Sequence, residues 1–100
     1  MNLVVDVSNN NPNVDFKALK ASGVCGVWLK VSEGTSFADP LYARYRAEAK
    51  AAGLRVGGYH FGHPKNSPVA EAQFFLSLLK LEPGDLLPAL DLEVSDNKTA

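Results

Sequence analysis

Leu86-Leu87-Pro88-Ala89-Leu90-Asp91-Leu92-Glu93-Val94-Ser95-Asp96 is an apolar run that takes on two acids, Asp91 and Glu93, one leucine apart. In a strand, residues i and i+2 share a face about 6.5–7 Å apart along the backbone, while Leu92 between them points the other way. Leu87, Pro88, Ala89 and Leu90 are too apolar for a surface strand, so the stretch reads as a strand buried on both faces, the kind found in parallel sheets. Two carboxylates at the carboxyl end of such a strand crowd each other's charge. Desolvation and like-charge repulsion raise one pKa and leave the other acid ionised. Glycosidic bond cleavage uses such a pair, a protonated donor beside a carboxylate. Two other readings of the spacing stay open at this point: acids that merely end the strand or cap the next helix, and a pair of oxygen ligands for a hard cation.

Upstream, the chain prepares this strand with three others. Leu3 to Val7 is a β-branched run closed by the loop signal Asn9-Asn10-Asn11-Pro12. Asn13 is expected to cap a short helix through Ala21, with Phe16 and Leu19 on its apolar side and Gly23 as its stop. Val24 to Val31 reads as the second strand, followed by the polar loop Ser32-Glu33-Gly34-Thr35-Ser36. Asp39-Pro40 is a cap-then-proline helix start, with Leu41, Tyr45, Ala49 and Ala52 inward and Arg44, Arg46, Glu48 and Lys50 outward. Leu54 to Phe61 is the third strand, and Gly57-Gly58 inside it implies close approach of another group or a bend. Ser67-Pro68 repeats the helix start, with Val69, Ala72, Phe75, Leu76 and Leu79 as the expected buried stripe, until Pro83-Gly84 breaks it. The order β-α-β-α-β-α-β, with short connections, predicts an α/β parallel sheet with right-handed crossovers.

Composition narrows the partners. The 100 residues suffice for one small domain, and 46% hydrophobic with 21% charged is ordinary for a folded protein. Ten Lys and Arg nearly cancel eleven Asp and Glu, so no global field draws nucleic acid or an anionic membrane. No apolar run is long enough to span a bilayer, and the start Met1-Asn2-Leu3-Val4-Val5-Asp6 lacks the basic segment of a signal peptide. Cys25, the one cysteine, lies between Val24 and Gly26, where a packed thiol is expected and an internal disulfide is impossible. No Cys/His cluster suits zinc, no glycine loop carries the lysine-hydroxyl pair of a phosphate cradle, and nothing calls for a cofactor.

The polar candidates fall at strand ends: Asp6, Lys30 with Glu33, Tyr59 with His60, and Asp91 with Glu93. Functional groups of parallel sheets gather at that edge. Each has a plain alternative. Asp6 bonds the backbone of the next turn, or joins an acid cluster. Lys30 and Glu33 form a simple ion pair at a strand mouth. Tyr59 and His60 face opposite ways, so one of them shares a given pocket and the other is core. His63, in a Gly/Pro loop, is expected to be solvated. Trp28 either stacks on a sugar ring or packs.

Taken together, Asp6-Val7-Ser8, Lys30-Val31-Ser32-Glu33-Gly34, Asp39-Pro40, Ala52-Gly53-Leu54-Arg55-Val56-Gly57-Gly58-Tyr59-His60-Phe61 and Leu90-Asp91-Leu92-Glu93 resemble the glycoside hydrolase family 25 lysozymes. These are the Chalaropsis-type N-acetylmuramidases of phage endolysins and of secreted bacterial and fungal enzymes. The resemblance covers essentially the whole chain and implies the first half of a modified TIM-like β/α barrel, with residues 1–100 as a partial catalytic domain. It implies hydrolysis of the β-1,4 bond between N-acetylmuramic acid and N-acetylglucosamine in peptidoglycan, at the bacterial cell wall, with the enzyme extracellular or phage-released. By the match of motifs Glu93 is the proton donor, and Asp91 orients the acetamido group or acts as the second carboxylate. Asp6 completes the acidic cluster, and Tyr59, Glu33 and Lys30 line the sugar groove. The family's domain is longer, with further strands closing the barrel and another active-site acid. A half-barrel is therefore expected to pair with a second copy or a complementary second half, and a non-catalytic glycan-binding half-barrel is the alternative.

Overall fold

The structure, a computed structural model, describes residues 3–8, 11, 13–63 and 65–91, and of Asp91 the backbone alone. Its elements are β1 (Leu3–Val7), α1 (Phe16–Ala21), β2 (Val24–Glu33), β3 (Phe37–Ala38), α2 (Tyr42–Ala51), β4 (Arg55–Phe61), α3 (Pro68–Leu78) and β5 (Ala89–Asp91). Four strands pair in the order β1-β2-β4-β5, each parallel to its neighbour. The α/β alternation expected from the sequence is the observed architecture.

Local chemistry explains most boundaries. Ser67 caps α3 by accepting the Ala70 N–H at 3.3 Å, and Pro68 takes the first helical position, where its missing N–H costs nothing. Two expected caps are displaced. Asn13 sits at φ 63°, a left-handed turn conformation that asparagine tolerates, and Asp15 caps α1 in its place through the Ala18 N–H at 3.0 Å. Asp39 accepts the Leu41 N–H at 2.8 Å and closes a turn, so α2 starts later, at Tyr42. β2 runs on to Glu33 because Ser32 and Glu33 pair antiparallel with Ala38 and Phe37 across a reversal at Gly34, φ 60°.

The helices cover one face of the sheet. Phe16, Tyr42, Tyr45, Ala49 and Phe75 pack with Val7, Val27, Leu29, Val31 and Val56 in one buried cluster. Phe16 meets Tyr45 edge-on at 5.1 Å, and the Tyr45 hydroxyl donates to the Asn11 carbonyl at 2.6 Å, tying α2 to the loop after β1.

Three packing expectations are corrected. Arg46, expected outward, is buried, and its guanidinium donates to Glu82 at 3.0 Å and Asp85 at 2.7 Å. Lys50 reaches the same acids at 2.7 and 2.8 Å, so α2 is clasped to the segment before β5. In α3, Val69 (66% exposed) and Leu76 (63%) face outward, while Glu71 and Phe75 are buried, because Glu71 has a buried partner in His60. Finally, Leu87 and Leu90 are 81% and 61% exposed. Leu87 and Pro88 precede the strand, and β5 ends the sheet among the described residues, with β4 alone beside it.

Candidate active site

Alternation along β1, β2 and β4 sends Val27, Leu29, Val31 and Val56 toward the helices and leaves Asp6, Trp28, Lys30, Tyr59 and Phe61 on the other face. The register aligns them: Asp6 lies beside Trp28, Lys30 beside Tyr59, and Tyr59 beside Ala89. A cavity of about 260 Å³ opens there, lined by Val4, Asp6, Trp28, Tyr59, Ala89 and Leu90. Asp6 and Tyr59, from strands not adjacent in the sheet, are thus brought to one wall. Asn11, through its Oδ1, accepts the Ser8 N–H at 3.1 Å, a side-chain bond in the turn for which Asp6 was one candidate. Gly57 makes room for the indole: a Cβ there would lie 2.8 Å from Trp28 and 2.7 Å from Leu86.

The carboxyl edge beside this cavity holds the second group. Lys30 Nζ donates to Glu33 Oε1 at 2.6 Å and stands over the rings of Phe37 and Phe61 at 5.3 and 5.0 Å. Residues three apart on a regular strand face opposite ways, yet here they meet. The pairing with β4 slips between Lys30 and Ser32, so Lys30 faces Tyr59 while Ser32 faces His60. This bulge inverts the alternation, placing Ser32 on the helix face and Glu33, opposite Phe61, on the face of Lys30.

His63 corrects the expectation of a solvated loop residue. Its Nε2 lies 2.8 Å from Glu33 Oε2. An ionised carboxylate only accepts, so that nitrogen carries the proton. Burial pushes the Glu33 carboxyl up, but hydrogen bonds and charge from Lys30 and His63 prevail and hold it below the ordinary carboxylate range.

His60 points the other way, as strand geometry requires. Its Nδ1 lies 2.7 Å from Ser32 Oγ and its Nε2 2.6 Å from Glu71 Oε1. The residue types are those of a hydrolase triad, but Ser32 is fully buried and offers no nucleophile to a substrate. Burial raises the Glu71 carboxyl, and bonds from His60, Asn66 and the His63 amide bring it below its usual range. A mostly apolar cavity of about 320 Å³ adjoins His60, Glu71 and Phe75 on this helix face. Its carboxylate and imidazole already satisfy each other, so the open face with Asp6 is the better candidate site.

Asp91 is described by its backbone, at the carboxyl end of β5 opposite Phe61. Glu93 lies outside the described residues. Among the described residues no group of three or more His, Cys, Asp and Glu is placed to hold a metal ion, and no helix is long and apolar enough to cross a membrane. The sequence leaves Trp28 between stacking and packing; Phe37 and Phe61 carry no local signal because the Lys30 they meet lies on another strand, and the Glu33 partner of His63 is likewise distant in the chain.

Comparison with known proteins places this geometry. The family model for glycosyl hydrolases family 25 matches residues 5–100. The autolytic lysozyme of Clostridium acetobutylicum is 36% identical over 91 residues, covering 91% of this chain and 28% of the relative. An N,O-diacetylmuramidase of Arthroderma benhamiae is 38% identical over 73 residues, covering 72% and 31%. Among solved structures, a family 25 lysozyme from Aspergillus fumigatus superposes with a TM-score of 0.83 at 31% identity over 98% of this chain and 48% of that one. A muramidase from Trichobolus zukalii gives 0.81 at 35%, over 88% and 44%. The chain therefore spans about a third of these curated relatives and under half of the solved structures. Those structures are TIM-like barrels, which the parallel sheet and its covering helices match. With the family model spanning nearly the whole chain, this protein belongs to glycosyl hydrolase family 25.

Proposed function

We propose that residues 1–100 are the amino-terminal half-barrel of a peptidoglycan hydrolase, an N-acetylmuramidase that cleaves the β-1,4 bond between N-acetylmuramic acid and N-acetylglucosamine. The observation that carries this is the meeting of Asp6, Trp28 and Tyr59 around one cavity on the face away from the helices. An aromatic wall fits the apolar faces of sugar rings, and a carboxylate beside it fits cationic charge developing at an anomeric carbon. The family membership supplies the reaction class.

In this reading Glu93 donates the proton to the leaving oxygen. Asp91 serves as the second carboxylate or orients the acetamido group. Its backbone pairs with that of Phe61 at the carboxyl end of the sheet, which is compatible with either role. Asp6 adds negative charge to the cluster, Tyr59 lines the groove, and the Lys30–Glu33 pair forms its edge. The enzyme acts at the bacterial cell wall. The half-barrel works with a complementary second half or a second copy, since the sheet ends at β1 and β5 among the described residues and Leu3, Val4 and Leu90 are exposed there.

Peptidoglycan digested with the protein, alone and beside the carboxyl-terminal half of a family 25 catalytic domain, is reduced with borohydride and its fragments are weighed by mass spectrometry. New reducing ends on N-acetylmuramic acid are expected. New ends on N-acetylglucosamine, or wall binding without new ends in either sample, would overturn the proposal.

A further inference from the structure

Two groups that lie on opposite faces of the sheet are joined by one ring of hydrogen bonds. On the helix face, Glu71 is buried and accepts a hydrogen bond from the His60 Nε2–H at 2.6 Å. The same carboxylate accepts the backbone N–H of His63 at 3.3 and 3.2 Å, and the Asn66 side chain adds a further bond. The His63 imidazole then crosses to the open face and meets Glu33 at 2.8 Å. Glu33 is bonded through the chain to Ser32, whose hydroxyl lies 2.7 Å from His60 Nδ1. The ring Ser32–His60–Glu71–His63–Glu33 is therefore closed, and every side-chain link in it has an acceptor matched to a donor.

The His63 ring also lies 6.0 Å from that of Phe61, but the Glu71 carboxylate is what holds its backbone N–H. The Asn66 N–H to His63 carbonyl bond, 3.0 Å, lies within the loop itself. Glu71 is anchored independently, on a helix with its own cap and against Phe75 in the core. Burying a glutamate in a helix stripe costs stability unless its charge is met, and here it is met by groups belonging to the loop and to β4.

We propose that Glu71 is a positioning residue for the site: by holding the backbone of His63 it fixes the imidazole on Glu33, and so sets the place and charge of the Glu33–Lys30 pair at the rim of the glycan groove. This rests on reading the open face as the groove, but its test does not. Glu33 faces Lys30 and His63 directly, and Lys65 lines the same recess. Its carboxyl titration therefore reports whether His63 is in place.

The Glu33 side-chain carboxyl is labelled with ¹³C in the purified protein and its chemical shift followed against pH. In His63→Ala the midpoint rises, because a cationic donor is lost. In Glu71→Ala it rises to the same value although Glu33 itself is untouched, and Glu71→Gln, which keeps an oxygen for the His63 N–H, stays at the parent value. The double variant Glu71→Ala/His63→Ala matches either single one. If Glu71→Ala does not fold, Asn66→Ala, which removes one bond from loop to Glu71 outside the core, shifts the midpoint the same way by less. A Glu33 midpoint unchanged in folded Glu71→Ala (or in Asn66→Ala), or shifts that add in the double variant, would refute the proposal. Wall lysis plays no part in this readout, so its failure is distinct from failure of the muramidase reading.

Discussion

Replacing Gly57 by alanine tests the inner face of the sheet with a single methyl group. An added Cβ would lie 2.7 Å from Leu86 Cβ and 2.8 and 2.9 Å from two carbons of the Trp28 ring. Leu86 cannot yield easily, because its first side-chain carbon is the one struck and its amide is bonded to the Val56 carbonyl at 2.9 Å. Overpacking of this kind costs about 1–3 kcal/mol. Alanine's smaller unfolded-state entropy offsets about 0.4–1 kcal/mol, leaving a net loss of about 1.3 kcal/mol at the middle of both ranges. For a domain of this size that lowers Tm by about 4–8 °C per kcal/mol. Gly26→Ala is the control: its nearest neighbours would be 3.3 and 3.4 Å away, so its loss is smaller. Trp28 is the sole tryptophan, and urea unfolding followed by its fluorescence reads both stability and the displaced indole. A Gly57→Ala protein as stable as the parent, with unchanged native emission, would refute the packing described for Trp28.

Asp85→Ala removes the buried acid from Arg46 but leaves it exposed Glu82 at 3.0 Å, so the loss should fall below the about 3–5 kcal/mol of an uncompensated buried charge, and a loss below about 1 kcal/mol in urea unfolding would show the clasp to be ornamental. Acid destabilises the fold: Glu33, Glu71 and Asp85 are all held below their usual pKa, so the unfolded chain takes up protons first, and stability present above about pH 4–5 is lost as pH falls through the depressed folded values. A urea midpoint that stays flat from neutral pH to about pH 3 would contradict this. Analytical ultracentrifugation should find the purified chain paired with another copy or with an added second half, since exposed apolar sheet edges favour association; a stable monomer that clears cell walls unaided would overturn that expectation.

The legible parts of this protein were those whose cause is local. Strands β1 and β4 and the Ser67-Pro68 start of α3 follow from β-branched runs and capping chemistry within a few residues, and they stand where the sequence put them. The separation of Tyr59 from His60 follows from the pleat alone. The displaced caps show the limit of that logic, because Asn13 and Asp15 compete for one helix end and the turn conformation of Asn13 decides between them. Long-range partners were not legible. Arg46 reads as an outward residue until Asp85, far along the chain, turns it inward, and Glu71 is buried in α3 only because His60 waits on β4. The meeting of Lys30 and Glu33 depends on a bulge set by pairing with another strand, and no periodicity within β2 announces it. Asp6 and Tyr59, legible as polar residues at strand ends, are brought to one cavity, whereas Asp91 is described by its backbone and Glu93 lies outside the described residues.

The central claim is that this chain carries the proton donor of a muramidase at Glu93. The measurement that tests it most directly is the clearing rate of a peptidoglycan suspension by the active assembly with Glu93 or with Glu93→Gln, at matched folding judged by circular dichroism. Glutamine cannot deliver a proton to the leaving oxygen, so the rate should fall by about 10²–10⁴-fold with the fold intact. Clearing by Glu93→Gln at the parent rate would contradict the account and move the donor elsewhere.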